Sequence, residues 1–349
     1  MNIALIHHRL ARSGGLETRL INYIHAFSGK GFGVTVICAN QDYSVSIPES
    51  VHVVRLSVGF VPKKFRRYAF EQRVSRFMET HRFDFSLSLE RTSSQDAVLA
   101  PSNHLGFLRA MNRKGNHFSD RMEIGMDRRA YENSRTIFAA SSMVREELID
   151  LYHTPPSKIH VLYPPLDEAT FNTNLRPRRA ELRSQQGMDP EKLSFAFVST
   201  SHRRKGLPLL LEVFDQLRSE PFELIVAGKG SKPSGFPENV KLAGYMREPQ
   251  ALYTAADFTI HPARYEPFGQ VVSESLACGT PVIISGKTGA GEILSPSDGL
   301  IIEGFNPEEW VSAIRSLPQR NFSPDPGFIA RNKLSVSDHV DQILALAHT

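Results

Sequence analysis

The amino-acid sequence predicts an α/β protein made of two doubly wound domains, each built on a parallel sheet, that face each other across a cleft. Its 349 residues exceed the usual size of one hydrophobic core. A strand, a glycine turn, a helix and a second strand follow one another near the N-terminus, and a similar series starts again near residue 193. Between the two series lies YPPLD, whose prolines fit neither a helix nor a strand.

The first domain is predicted to span residues 1–163. NIALIHH is typical of a buried strand, SGG of a tight turn, and LETRLINYIHAF of an amphipathic helix, with Leu16, Leu20, Ile24 and Phe27 at helical spacing. GFGVTVICAN is the next strand, so this part predicts a right-handed βαβ unit. FDFSLSL, RTIFAAS and IHVLY continue the strand pattern, with helix-like segments between them.

The second domain is predicted to span residues 164–330. KLSFAFVST is a strand, KGLPLLLEVFDQLRS a helix and FELIVAGKG a strand; NVKLAGY, DFTIHP and TPVIIS follow as further strands. Residues 331–349 predict a last helix that crosses back to the first domain. Open α/β sheets bind ligands at the carboxyl ends of their strands, so the cleft is the expected site.

Composition narrows the class of protein. Apolar residues make up 41% and charged residues 22%, which excludes a disordered or fibrous chain. Cys38 and Cys278 belong to no CxxC pair, which favours a reducing compartment and argues against zinc. The initial apolar stretch IALI is too short for an export signal, and no run of about 18 apolar residues predicts a membrane span. We therefore expect a cytoplasmic protein.

Two carboxylates frame one segment of the second domain. In RYEPFGQVVSESLACGTPVI, Glu266 lies in a turn formed by Pro267 and Gly269, and Glu274 lies within the following helix. Carboxylates at such spacing are usually surface charge. Here the helix is otherwise apolar or small and leads into a buried strand, so we expect Glu274 to line the cleft.

A basic turn precedes the first helix of the second domain. FVSTSHRRKGLP places His202, Arg203, Arg204 and Lys205 between a strand and a helix. Cations and free amide donors at a helix start suit a diphosphate. The alternative interpretation is a solvated basic turn.

The corresponding turn of the first domain carries Ser13, Gly14 and Gly15, which are suited to an anion at a helix start but equally to a purely structural turn. The chain contains no GxxxxGK[ST] phosphate loop and no DxD-like pair of aspartates for a divalent ion. We therefore expect protein cations, and no metal, to neutralise a bound anion.

EPFGQVVSE, followed by ESLACGTPVI, resembles the signature of retaining GT-B glycosyltransferases of glycosyltransferase family 4. Further motifs occur in the same order as in that family, and the resemblance extends over nearly the whole chain. These motifs are Gly14-Gly15, the VLYPPLD hinge, Arg204-Lys205-Gly206, LIVAGKG and LAGY. The turn before Lys205 and the GGLETRL opening are most similar to lipopolysaccharide core glucosyltransferases of Gram-negative bacteria. The resemblance implies the GT-B fold of two Rossmann-like domains.

The resemblance also implies roles for individual residues. Arg204 and Lys205 would bind the donor diphosphate, and Glu274 the ribose hydroxyls. Glu266 would bind the donor sugar with the backbone of Phe268 and Gly269. The implied catalytic residues are Glu266, Arg204, Lys205 and His104, and the implied donor-binding residues are Gly14, Gly15, Arg203, Gly228, Tyr245, Phe268, Gly269, Gln270 and Glu274.

Two departures from the family pattern leave a choice open. Many members carry an arginine five positions before the lysine, where this chain has Thr200, and the hinge lacks the Asn-Gly pair. Either Arg203 or Arg204 could substitute for that arginine. His104 lies near acceptor-side residues of the family, after Asp96, and could act directly or be structural.

The implied reaction is retaining transfer of a glucose-like hexose from a nucleotide-diphosphate sugar, expected to be a UDP-sugar, to a lipopolysaccharide core or another glycolipid or polysaccharide. No cofactor is implied, and the leaving phosphate would help to deprotonate the acceptor. Two alternatives are a nucleotide-sugar epimerase of the same architecture and a non-catalytic nucleotide-sugar sensor. Nucleic acid is not an expected partner, because no nucleic-acid-binding module is recognisable.

Basic charge is concentrated in the first half: residues 1–165 carry a net charge of +7 and the remainder −3. Residues 59–83 mix cations with aromatic side chains. One interpretation is a helix with a buried aromatic face and a solvated basic face. The other is docking to an anionic membrane surface, which would make the protein peripheral at the inner face of the cytoplasmic membrane.

Overall fold

The computed structural model describes residues 1–12, 14–228, 236–246 and 248–347. The chain forms two compact units, Met1–Pro165 with Val336–Thr349, and Leu166–Ser335. The limits predicted at residues 163 and 330 lie two and five residues from these divisions.

The first unit alternates strands and helices along most of its length. Its elements are β1 (Asn2–Ile6), β2 (Arg9–Leu10), α1 (Gly15–Gly29), β3 (Gly33–Cys38), β4 (Asn40–Gln41), β5 (His52–Arg55), α2 (Arg66–Thr80), β6 (Phe85–Ser88), β7 (Ala97–Ala100), α3 (His104–Ala110), α4 (Phe118–Asn133), β8 (Thr136–Ala139), α5 (Ser142–Tyr152) and β9 (Ile159–Val161). A 3-10 turn, Lys63–Phe65, precedes α2.

Seven strands of the first unit form a parallel sheet in the order β5-β3-β1-β6-β7-β8-β9. Strand β1 lies in the interior of the sheet, with Ile3 paired to Val34 on one side and to Phe85 on the other. The chain winds outward from β1 in one direction and then returns to the other side at β6. The strand order therefore reverses between β1 and β6, and ligands of doubly wound sheets bind at such a reversal.

The second unit repeats the alternation. Its elements are α6 (Arg179–Gln185), β10 (Leu193–Val198), α7 (Leu207–Gln216), β11 (Phe222–Ala227), β12 (Val240–Gly244), α8 (Gln250–Ala255), β13 (Phe258–His261), α9 (Gln270–Ala277), β14 (Val282–Ser285), β15 (Gly299–Ile302), α10 (Pro307–Ser316) and α11 (Phe328–Arg331). Its parallel sheet has the order β12-β11-β10-β13-β14-β15, so the reversal lies between β10 and β13.

The apolar runs of the central strands form the cores, because both faces of a parallel sheet are covered by helices. In the first unit, β1 and α1 bury Leu5 and Phe27 completely. In the second, Phe195 and Phe214 pack edge to face, with ring centroids 5.5 Å apart. Trp310 of α10 is fully buried in the same core, and its indole N–H donates to the carbonyl of Gly304 at 3.0 Å.

The last helix, α12 (Val336–Ala347), packs against α1 of the first unit. Val340 and Ile343 are fully buried in the core that α1 covers. The hydroxyl of Tyr23 lies 2.9 Å from Nδ1 of His339, and Lys30 forms an ion pair with Asp341 at 2.8 Å. The C-terminal helix thus completes the hydrophobic core of the N-terminal unit.

The predicted α/β class with two doubly wound parallel sheets is confirmed. Strand β7, the small sheet formed by β2 and β4, and the edge strands β5 and β15 were not predicted. Each of them is four residues or shorter, too short for a clear alternation. Within the described residues, the helices are too short or too polar to span a bilayer.

We predict that Gly206→Ala lowers the free energy of unfolding more than Gly187→Ala does. Both glycines have a positive φ, 92° and 64°, so alanine at either position costs about 1 to 2 kcal/mol of backbone strain. A Cβ at Gly206 would also come within 2.1 Å of the carbonyl oxygen of Pro262, whereas a Cβ at Gly187 meets nothing within 4 Å. Urea denaturation should therefore show a further loss of about 1 to 3 kcal/mol for Gly206→Ala. Equal losses in the two variants would contradict this.

Candidate active site

The strand-order reversal of the second unit brings four polar side chains together. Lys205, in the turn after β10, forms an ion pair with Glu266, in the turn after β13. The same carboxylate oxygen lies 3.6 Å from Nη1 of Arg204 and 3.3 Å from Nε2 of His261. Arg204 also donates to the carbonyl of Tyr265 at 2.8 Å. Two turns that are 61 residues apart in sequence are thus tied together by one carboxylate.

The charges of this cluster are set by burial and by its cations. Burial alone would raise the pKa of Glu266, but the hydrogen bond from His261 and the charges of Lys205 and Arg204 outweigh it and lower the pKa to about 2. Burial lowers the pKa of His261, against the opposing effect of Glu266. At neutral pH the carboxylate of Glu266 is therefore ionised, and the side chains of Lys205 and Arg204 both contact it.

Glu274 belongs to a second polar pair on α9. This helix begins after Gly269, whose φ of 100° lets the chain turn out of the EPFG loop. The hydroxyl of Tyr253 on α8 donates to Oε2 of Glu274 at 2.8 Å. Burial raises the pKa of Glu274 and, together with this carboxylate, raises that of Tyr253 well above its usual value. The hydrogen bond fixes the orientation of a carboxylate that could accept ligand hydroxyls.

The other residues predicted to bind a donor have different environments. Gly228 has a φ of 138°, and a Cβ there would lie 1.6 Å from the carbonyl oxygen of Ser199. Its N–H donates to the carbonyl of Gly244 at 2.7 Å. Tyr245, just after β12, is 63% exposed. Arg203 is exposed, whereas Arg204 contacts Glu266.

Phe268 and Gln270 flank Gly269 at the start of α9. The Phe268 side chain is buried, and its carbonyl accepts from the N–H of Ala290 at 2.7 Å. Gln270 is the first residue of the helix and is partly exposed. Lys229 and Gly230, which complete the LIVAGKG motif, lie outside the described residues.

The reversal of the first sheet opens on a cavity of about 440 Å³. Gly14 caps α1 and Gly15, the first residue of that helix, lines the cavity. Ser13, predicted to complete this turn, lies outside the described residues. His7, which directly follows β1, also lines the cavity, and its Nδ1 lies 3.1 Å from Oε1 of Glu90.

His104 begins α3 in the first unit and is held by two aspartates. Its Nε2 lies 2.9 Å from Oδ1 of Asp120, and its backbone N–H donates to Oδ2 of Asp127 at 2.8 Å. The hydrogen bond with His104 lowers the pKa of Asp120. Asp96 precedes β7 and bonds to Ser86 and Arg135, so the structure does not bring Asp96 and His104 together.

Sequence reasoning missed four residues. His261 and Tyr253 belong to the polar groups of the second unit, and His7 and Glu90 line the cavity of the first unit. His261 and His7 each stand at the carboxyl end of a predicted strand, and that position could have singled them out. Tyr253 carries no such signal, because its distance of 21 residues from Glu274 reveals nothing about contact. Within the part of the chain that the structure describes, no group of three or more acidic, histidine or cysteine side chains could hold a metal ion.

Together, the cluster at β10 and β13 can bind an anion next to a polyhydroxyl group. Lys205 and Arg204 supply positive charge, and α7, which starts at Leu207, directs its positive end to the same turn. Glu266 and Glu274 supply ionisable acceptors for hydroxyl groups. A nucleotide-diphosphate sugar combines these two kinds of group.

Comparisons with known proteins agree with this arrangement. Residues 13–170 match the family model described as Glycosyltransferase Family 4, and residues 178–325 match that of Glycosyl transferases group 1. A "probable transglycosylase" of Burkholderia thailandensis is 35% identical, with 99% of this chain and 97% of the relative covered.

Solved structures with a similar fold include WaaG, a glycosyltransferase involved in lipopolysaccharide biosynthesis (TM-score 0.78, 18% identity, 97% of this chain and 95% of WaaG covered). They also include Anabaena HepE in complex with UDP and glucose (TM-score 0.73, 17% identity, 99% of each chain). The chain belongs to glycosyltransferase family 4 and is a glycosyltransferase of the GT-B fold.

Proposed function

We propose that this glycosyltransferase moves a glucose-like hexose, with retention of configuration and without a metal ion, from a UDP-sugar to a lipopolysaccharide core or another glycolipid or polysaccharide. The observation that carries the proposal is the arrangement of Lys205 and Arg204 around Glu266 at the strand-order reversal of the second sheet. Two cations and a sugar-binding carboxylate at one point suit the junction between a diphosphate and its sugar.

A bound donor would replace the ion pair between Lys205 and Glu266 with an ion pair between Lys205 and the diphosphate. Lys205 contacts Glu266, so a diphosphate that approaches Lys205 offers it a second anion. Glu266 would then accept hydrogen bonds from the hydroxyls of the sugar, while His261 keeps its contact with Oε2. Glu274, held by Tyr253, would accept the ribose hydroxyls. The similar HepE structure contains UDP and glucose, which supports a UDP-sugar as donor.

The transfer itself needs no nucleophilic side chain. The bond between the anomeric carbon and the diphosphate oxygen breaks, and its electron pair stays on the departing UDP. Lys205, Arg204 and the start of α7 stabilise that charge. An acceptor hydroxyl forms the new glycosidic bond on the same face and passes its proton to the leaving phosphate oxygen.

A lipid-anchored acceptor would place the enzyme at an anionic membrane, and the first unit has a surface suited to it. Phe60 and Phe118 are 74% and 67% exposed, and Phe118 packs edge to face on Phe65. Lys64 lies over the Phe65 ring at 4.9 Å, and Lys63 is exposed beside it. Exposed aromatic rings framed by cations fit the headgroup layer of a membrane. We propose peripheral binding at the inner face of the cytoplasmic membrane.

Two other functions remain as test outcomes: a nucleotide-sugar epimerase and a non-catalytic sensor of nucleotide sugars. Incubation with UDP-, GDP- and ADP-sugars separates the three functions. Transfer or slow donor hydrolysis supports the transferase, interconversion of two donors the epimerase, and binding without turnover the sensor.

Lys205→Gln and Glu274→Gln should each lower kcat/KM for transfer about a hundredfold, because each removes a contact to the donor. Isothermal titration with UDP should show weaker binding to Lys205→Gln. Lys192→Gln is the matched control, since Lys192 lies in the same unit and pairs only distantly, at 3.9 Å, with Asp189. Near-normal transfer by both site variants, with control-like folding, would refute the donor site.

The choice between Arg203 and Arg204 can be tested in the same assay. Arg204 contacts Glu266 and the carbonyl of Tyr265, whereas Arg203 is exposed. We therefore expect Arg204→Gln to weaken UDP binding at least tenfold and Arg203→Gln to change it less than threefold. The opposite order would assign the diphosphate to Arg203.

Transfer should survive an excess of EDTA, because the cluster offers the leaving diphosphate cationic side chains. Initial rates before and after chelation, and after readdition of Mg²⁺ or Mn²⁺, provide the measurement. Loss of transfer with EDTA and recovery with a divalent ion would overturn the metal-independent mechanism.

Vesicles that contain anionic lipid should sediment the protein, and high salt should release it. Lys63→Gln/Lys64→Gln should weaken this binding several-fold, since each basic residue near the surface contributes about 1 kcal/mol. Arg218→Gln/Arg320→Gln removes the same charge from exposed positions of the second unit and should leave binding unchanged. Equal sedimentation of wild type and both variants would exclude the proposed surface.

A further inference from the structure

One carboxylate oxygen of the second unit holds the basic side chains of the candidate active site. Oε2 of Glu266 forms the ion pair with Lys205 and lies 3.6 Å from Nη1 of Arg204. Arg204 has a further contact, because it donates to the carbonyl of Tyr265 at 2.8 Å. Among the described residues, Glu266 is the only carboxylate within ion-pair distance of Lys205. A ligand that binds Lys205 must therefore displace Glu266 from it.

The ion pair between Lys205 and Glu266 is largely shielded from water. The two side chains are 13% and 12% exposed. Removing one partner of a buried ion pair is strongly unfavourable, because the other charge is left without compensation. A diphosphate that binds Lys205 also brings its own negative charge close to the carboxylate. An anion alone therefore pays twice, once for separating the pair and once for lying beside Glu266.

A change of protonation does not remove this conflict. Burial raises the pKa of Glu266, but the hydrogen bond with His261 and the charges of the neighbouring cations outweigh it and lower the pKa to about 2. The carboxylate consequently stays ionised at neutral pH. Hydroxyl groups can replace Lys205 as its partners, since an ionised carboxylate accepts strong hydrogen bonds from them.

A nucleotide sugar brings hydroxyl groups to Glu266, whereas UDP alone does not. Under the proposed function, the ribose hydroxyls bind Glu274, whose carboxylate accepts a hydrogen bond from Tyr253 at 2.8 Å. The hydroxyls of the hexose bind Glu266. A UDP-sugar thus separates Lys205 from Glu266 and also stabilises the separated carboxylate, but UDP does only the first.

We propose that Glu266 competes with the diphosphate for Lys205, and that this competition makes the site select a sugar-carrying nucleotide over free UDP. The inference rests on the proposed function and gives Glu266 a specificity-determining role within it. It also provides a cause for product release. Once the sugar has passed to the acceptor, Glu266 loses its hydroxyl partners and pairs with Lys205 again, which weakens the binding of UDP.

Isothermal titration of the full-length protein with UDP, UDP-glucose and UDP-galactose tests the competition without an acceptor. Wild type should bind at least one of the two UDP-hexoses tenfold or more tightly than UDP. Glu266→Gln removes the competing charge and leaves Lys205 available, so this variant should bind UDP about tenfold more tightly than wild type. Its Kd values for UDP and for the preferred UDP-hexose should lie within threefold of each other.

Glu220→Gln is the matched control, because it removes the same charge from the same unit. Glu220 pairs with Arg315 and precedes β11, so it lies at the edge of the sheet opposite to the carboxyl ends of the strands. Its UDP affinity should stay within twofold of wild type. Urea denaturation shows whether each variant is folded. Glu266→Ala is the second variant and should also bind UDP more tightly; if neither variant folds, the preference of wild type for a UDP-hexose decides.

The outcomes separate the competition from the donor site itself. A carboxylate that merely contacts the sugar would leave UDP binding unchanged when it is replaced. Unchanged or weaker UDP binding by folded Glu266→Gln and Glu266→Ala therefore refutes the competition, even where Lys205→Gln has lost UDP binding and the donor site stands. A wild type that binds UDP as tightly as both UDP-hexoses refutes it as well. If Lys205→Gln binds UDP like wild type, the diphosphate does not bind Lys205, and the donor site and the competition both fail.

Discussion

The buried carboxylate of Glu266 is the constraint on which the second unit's site depends. An ionised group at this depth is costly unless charges and hydrogen bonds compensate it. Lys205, Arg204 and His261 together provide that compensation, and they come from the turn after β10 and the end of β13. If one of these partners is removed, the other two alone must compensate the negative charge of Glu266. The contacts with Glu266 therefore hold the turn after β10 and the EPFG loop after β13 in position relative to each other.

Under the proposed function, the same constraint would let a donor bind without large rearrangement of the two turns. Lys205 and Arg204 already face an anion, and a diphosphate offers them the same kind of charge. Gly206 and Gly269 let the backbone turn into α7 and α9 directly beside the cluster, both with positive φ. The cations and the helix starts are thus oriented before any ligand arrives, which is the condition under which electrostatic stabilisation of a leaving group is most effective.

Local sequence patterns suffice to predict the longer strands and helices, but they do not predict which strands lie side by side in the sheets. The apolar runs of β1, β3, β10 and β11 and the helical spacing in α1 predict strands and helices wherever the elements are long. Glu266 contacts Lys205, although Glu274 is nearer to it in sequence, because β10 lies beside β13 in the sheet. No local periodicity of the sequence encodes this strand order. The His7–Glu90 pair was overlooked for the same reason: 83 residues separate two side chains that adjacent strands bring to 3.1 Å.

The basic stretch 59–83 shows how charge counting alone misjudges a surface. Arg66 donates to the carbonyls of Val61 and Gly59 and so fixes the loop before α2. Arg67 lies 3.4 Å from Glu123, the carboxylate that also binds Arg91 at the cavity wall. These two arginines therefore have partners within the first unit, although the sequence groups them with Lys63 and Lys64. The surface that could meet an anionic membrane is correspondingly smaller, and its aromatic part includes Phe118 from α4, which no count over residues 59–83 would contain.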